Sequence, residues 1–189
     1  MEIQKIIWKI YLADNGGSIT AEDFFKVFNG WIPDSPEVFI DVADYQHVGQ
    51  GPLIFLVGHY VDYSFDNEED RYGLVYKRKQ PIEGSDGDRI KATFIEMLKA
   101  AQKLEADPQF EGRLKFDTTQ FTFTVNDRAT APNTSETYER VSPLLQSALG
   151  ASFKGTELSL AHQSDSEVRF TVDIKAGSAQ SLTALIANL

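Results

Sequence analysis

Four stretches of the chain place an apolar side chain at every second residue, and that period of two commits much of the molecule to half-buried β-strands. Ile6, Trp8, Ile10 and Leu12 alternate with Lys5, Lys9 and Tyr11. Phe121, Phe123 and Val125 alternate with threonines, and Leu158 and Leu160 flank a serine. Val168, Phe170, Val172 and Ile174 obey the same rule. Strands of this kind bury one face and wet the other, so they form an antiparallel or mixed sheet with helices on one side.

The helices are legible between the strands. Thr20 with Asp23 reads as a capping box ahead of Phe24, Val27, Phe28 and Trp31, and Pro33 closes that helix. Ser85 or Asp86 opens the clearest helix, striped by Ile90, Phe94, Met97, Leu98, Ala101 and Leu104. Thr134 caps a third, in which Pro143 predicts a kink or a restart with Ser142 as a new cap. Ser178 is expected to cap a short last helix holding Leu182, Leu185 and Ile186. Asp14-Asn15-Gly16-Gly17 and residues 163–166 read as turns.

The middle of the first half reads as a short strand at 38–43, a glycine loop at 49–52 and one long strand at 53–66. The acidic turn Asn67-Glu68-Glu69-Asp70 then joins that strand to 72–77 as a hairpin. The order is β-α-β-β-β-α over 1–107 and β-α-β-β-α over 113–189, with 107–113 as the expected boundary. The fold class is α+β, either as two similar β-α-β-β-α halves related by duplication or as one continuous domain.

Charge removes some functions from consideration. With 18 basic and 28 acidic residues the chain carries −10, which repels nucleic-acid backbones and anionic lipid. Neither nucleic acid nor membrane is an expected partner. The basic run Lys77-Arg78-Lys79 reads as a solvated strand edge. There is no cysteine, hence no thiolate chemistry. Met1 to Lys5 show no basic-then-apolar leader, so the cytoplasm is the expected location.

The polar residues worth weighing lie between Asp41 and Asp66. Asp41, Asp44, Tyr45, His47, His59 and Asp62 fall within one strand–loop–strand unit, where imidazoles and carboxylates could hold a divalent metal or form an acid–base pair. His47, His59 and Asp44 are the metal-ligand set. The competing and preferred reading gives His59 an apolar strand face with Phe55 and Val57, as a core histidine satisfied by neighbours. Asn126 and Arg128, ahead of the third helix, are further ligand candidates, with Arg128 as an anion clamp or an ordinary turn residue. The Gly49-Gln50-Gly51-Pro52 loop fails the phosphate-loop tests, since no helix and no Gly-Lys-Ser/Thr follows.

The runs Asp41-Val42-Ala43-Asp44-Tyr45-Gln46-His47-Val48, Gly51-Pro52, Gly58-His59 with Asp62-Tyr63, and Asn126-Asp127-Arg128 with Ala131-Pro132-Asn133 resemble the pattern of an uncharacterised bacterial protein family. The likeness extends from the first helix to about the third. It implies a bacterial cytosolic protein with one coherent fold, and it brings no activity, substrate or cofactor. That family pattern has an acidic residue where this chain has Tyr60.

The sequence therefore favours a non-catalytic or small-ligand-binding protein, with no cofactor and a homodimer as one assembly. The alternatives are a metal-assisted hydrolase built on the cluster at 41–66, and an interaction module that offers a sheet edge to a partner.

Overall fold

A computed structural model describes residues 2–14, 17–165 and 167–189; Asn15 and Gly16 of the first expected turn and Ser166 of the last lie outside the described residues. The strands are β1 (Ile6–Leu12), β2 (Phe39–Asp44), β3 (Pro52–Gly58), β4 (Val61–Asp66), β5 (Gly73–Arg78), β6 (Phe116–Val125), β7 (Leu158–His162) and β8 (Phe170–Ala176). They form one eight-stranded sheet in the order β2-β3-β4-β5-β1-β6-β8-β7, antiparallel at every pairing. The helices are α1 (Ala21–Asp34), α2 (Asp86–Glu105), α3 (Ser135–Gly150) and α4 (Leu182–Ala187).

Both halves follow one route. The first strand of each half leads through a helix to an outer edge, and the chain then meanders inward to pair with that first strand. β1 and β6 meet at the centre, Trp8 facing Phe123 and Lys9 facing Thr122. A single sheet and a single hydrophobic core run across both halves.

Cross-strand partners share a face, so a few contacts place all the helices. Trp8 lies opposite Tyr76 and Phe123, and its ring meets Phe94 of α2 at 5.0 Å. Tyr63 lies opposite Tyr76, and two residues on, Phe65 stacks on Phe24 of α1 at 4.1 Å. Tyr138 of α3 donates to the Leu160 carbonyl at 3.0 Å, and Leu160 lies opposite core Ile174. Gln102 of α2 donates to Thr183 of α4. Among the described residues no α-helix lies on the other face of the sheet.

The capping residues do what their chemistry predicts. Thr20 with Asp23 and Ser85 with Asp88 form reciprocal capping boxes, and Thr134 caps α3. The α2 stripe Ile90, Phe94, Met97, Leu98, Ala101 and Leu104 is wholly buried.

Four expectations need correction. The stretch 53–66 is two strands, because the chain reverses at His59-Tyr60. There Gly58 approaches the Val61 carbonyl so closely that a Cβ would collide with it. The strand ending in the Lys77-Arg78-Lys79 run is not an edge; β5 lies between β4 and β1, with Lys79 paired to Asp62. Pro143 removes a backbone donor but does not end α3, which runs unbroken to Gly150. The cap of α4 is Ser181, not Ser178. Within 107–113, Phe110 is buried and packs on Phe24 at 5.1 Å.

Candidate functional site

The helix-free face displays the polar phase of the central strands. It carries Lys9 and Tyr11 from β1, Ser64 and Asp66 from β4, Thr122 and Thr124 from β6, and Thr171 and Asp173 from β8. Loops at both ends of the strands rise around these side chains and enclose a groove of about 470 Å³. Ile7, Phe55 and Val75 give it an apolar floor.

The floor is held by a connected set of polar contacts. Lys9 Nζ donates to Asp66 Oδ1 at 2.6 Å, and both side chains are almost fully buried. Asp66 Oδ1 also accepts the Glu68 backbone N–H at 2.9 Å. Tyr11 shares a hydrogen bond with Thr122 at 2.6 Å and lies under the Arg71 guanidinium, 3.6 Å from the ring centre. Thr122 donates to Asp173, which also takes both hydrogen bonds of the Gln163 amide at 3.1 Å. Burial raises the Tyr11 phenol above its usual value, against the opposing pull of Thr122 and Arg71, so its proton stays in place. These groups hold one another and fix the shape of the groove.

The rims differ in charge. At the Tyr11 end, beside the β4–β5 connection, exposed Glu68 and Glu69 line the groove, next to Arg71, which donates to Gln120. At the Ile7 end stand exposed Arg128 and Arg169, with Glu167 between them in sequence. Arg128 donates to the Glu167 backbone carbonyl and Arg169 donates to Asn126 Oδ1 at 3.0 Å. Asn126 and Arg128 thus reach the site as braces of its basic rim.

The residues singled out between 41 and 66 do not gather into a centre. Asp41 is exposed and its carboxylate accepts the Val42 backbone N–H at 2.8 Å. Asp44 accepts the backbone and side-chain N–H groups of Gln46, both at 2.9 Å. Exposed His47 and Tyr45 lie ring to ring at 6.1 Å. Asp62 is buried, accepts the Gly58 N–H at 3.1 Å and pairs with Lys79 at 2.7 Å. His59 is an exposed turn residue packed edge-on to Tyr60, which overturns the reading of a core histidine on a strand face.

Asp44 and His47 stand at one end of β3 and His59 at the other, and a seven-residue strand is about 20 Å long. Among the described residues no three His, Asp or Glu side chains are placed to hold one metal ion. The third histidine is engaged: His162 Nε2 bonds Asn133 Oδ1 at 2.7 Å, and its ring stacks on Tyr138.

Sequence reasoning passed over Lys9, Tyr11, Asp66, Thr122, Asp173 and Arg169. Lys9, Tyr11 and Thr122 were visible as the polar phase of alternating strands, but only the strand order shows that they meet. Among the described residues no helix is long and apolar enough to cross a membrane. No protein-family model matches the chain, and no curated protein matches it.

Proposed function

We propose that this chain is a binding protein whose groove takes a small linear zwitterion, such as a short peptide with free termini. The observation that carries the reading is the charge-split groove on the bare sheet face. Glu68 and Glu69 stand with Arg71 at one end, Arg128 and Arg169 stand with Glu167 at the other, and between them lies a floor of threonine hydroxyls, apolar side chains and the paired Lys9 and Asp66. Carboxylates favour an ammonium group and guanidinium groups favour a carboxylate. From Ile7 to Tyr11 the strand advances four residues, about 13 Å, which is the span of an extended tetrapeptide. The floor needs no reacting group in this role, because Lys9, Asp66, Tyr11 and Asp173 serve as its frame.

Thermal melts with tetra-alanine bearing free termini test this. Ligand at a hundred times its dissociation constant stabilises the fold by about 2.7 kcal/mol, a rise of several degrees. The same peptide acetylated and amidated should give little shift, and so should free tetra-alanine with an Arg128→Glu/Arg169→Glu variant. Equal shifts from free and capped peptide, or none from either, would remove the reading.

A further inference from the structure

The β2 edge of the sheet is built unlike the β7 edge. Among the described residues, seven large apolar side chains are exposed, and five of them gather at β2 or beside it. Val38 is 57% exposed, Ile40 63%, Tyr45 44%, Val48 58% and Tyr60 43%. Tyr60 joins the group because the neighbouring His59 N–H donates to the Val38 carbonyl at 2.8 Å. None of the seven lies on β7, where Ser159 and Ala161 are the exposed residues.

A bulge interrupts the ladder between Phe39 and Asp41, but from Asp41 to Asp44 the register on β3 is regular, and Tyr45 N–H continues it to Leu53. Among the described residues no further strand lies outside this segment, and of its backbone groups the Val42 N–H is held by Asp41 Oδ1 at 2.8 Å. Such edges are usually blunted by charged side chains, lysine above all, by proline or by a bulge; this one has the bulge and carboxylates but no lysine. Here no Lys or Arg occurs anywhere between Lys26 and Arg71, a stretch that carries nine carboxylates. Glu37, Asp41 and Asp44 stand exposed along the edge itself. Of the cations around it, Arg78 and Lys79 behind Tyr60 face Glu96 and Asp62, and Lys103 lies over Trp31, which packs on Phe39.

We propose that β2 is a docking edge that takes an extended polypeptide segment bearing lysine or arginine between apolar residues, added as a further antiparallel strand. Main-chain hydrogen bonds supply the pairing, and the alternate side chains choose the partner. Asp41 and Asp44 lie on opposite faces of β2, since Asp44 pairs with core Ile54 and Asp41 with Val57, so the cations of such a segment stand three residues apart, one beside each carboxylate, and its apolar residues cover Val38, Ile40 and Tyr45. A second copy fits poorly, because it brings the same carboxylates together on two chains that each carry −10. This edge is separate from the groove, and neither proposal depends on the other.

Fluorescence anisotropy with a labelled valine-rich octapeptide carrying lysine at its third and sixth positions provides the test. The intact chain should bind it, more weakly as salt rises, and should not bind the glutamate–valine counterpart. Asp41→Lys/Asp44→Lys should weaken binding at least tenfold, as should Val38→Ser/Ile40→Ser, with each variant first checked as folded by circular dichroism. Ser159→Lys on the opposite edge should change nothing. Equal binding of the two peptides, no binding of the cationic one, unchanged affinity in folded β2 variants, or a sedimenting dimer broken by those variants would overturn the proposal.

Discussion

Lys9 reaches Asp66 by passing over an intervening strand. β1 and β4 are separated by β5, yet Lys9 Nζ lies 2.6 Å from Asp66 Oδ1. The passage is open because β5 has Gly73 at that point, where an added Cβ would sit 3.2 Å from Lys9 Cε. A glycine, a lysine stem and a carboxylate on three strands therefore set the acidic end of the groove.

Lys9→Met leaves Asp66 buried without its cation. Losing one partner of a buried pair costs about 3–5 kcal/mol, and the small remaining exposure here places the expected loss near the lower figure. Lys9→Met/Asp66→Asn should recover part of it. Urea melts of the three proteins measure both quantities. A loss under about 0.5 kcal/mol, the level of an ordinary surface change, would show that the pair is not buried in solution.

The histidines separate cleanly. His59 is an exposed turn residue, so His59→Ala should change stability by no more than about 0.5 kcal/mol. His162→Ala removes a ring stacked on Tyr138 and a hydrogen bond to Asn133, and should cost about 1–2 kcal/mol. Thermal or urea denaturation of the two variants decides the order, and the reverse order contradicts the structure.

How much of this was legible follows from what each signal needs. Trp8, Phe94, Phe121 and Phe123 could be assigned to a core from spacing alone, because period two and the helical stripe are local properties. The turn at His59-Tyr60 was missed because it lacks the Asn-Gly or Asp-Gly pair that marks most two-residue hairpins. Nor did phase mark it: residues 53–57 are an unbroken apolar run, so the inward Ile54 and Leu56 look no different in sequence from Phe55 and Val57. The groove was beyond reach, since Lys9 meets Asp66 and Tyr11 meets Thr122 only once non-consecutive strands are side by side.

Stability should fall at alkaline pH. Burial first, and the nearby Glu96 carboxylate second, hold the Tyr63 and Tyr76 phenols protonated well above their ordinary value of 10.0. With the folded pKa above the unfolded one, this contribution is complete below pH 10 and is lost as pH rises beyond it. Tyr63→Phe should flatten the decline between pH 10 and 11 in urea melts, and an unchanged slope would mean that Tyr63 is not buried as described.

The groove itself is most directly tested by following backbone amide resonances of the labelled protein as free tetra-alanine is added. The expected shifts fall on β1 around Lys9 and Tyr11, on Thr122 and Thr124, on Glu68 and Glu69, and on 167–169. Shifts confined to the helical side of the sheet, or no saturable shifts at all, would contradict the assignment of the bare face as the binding surface.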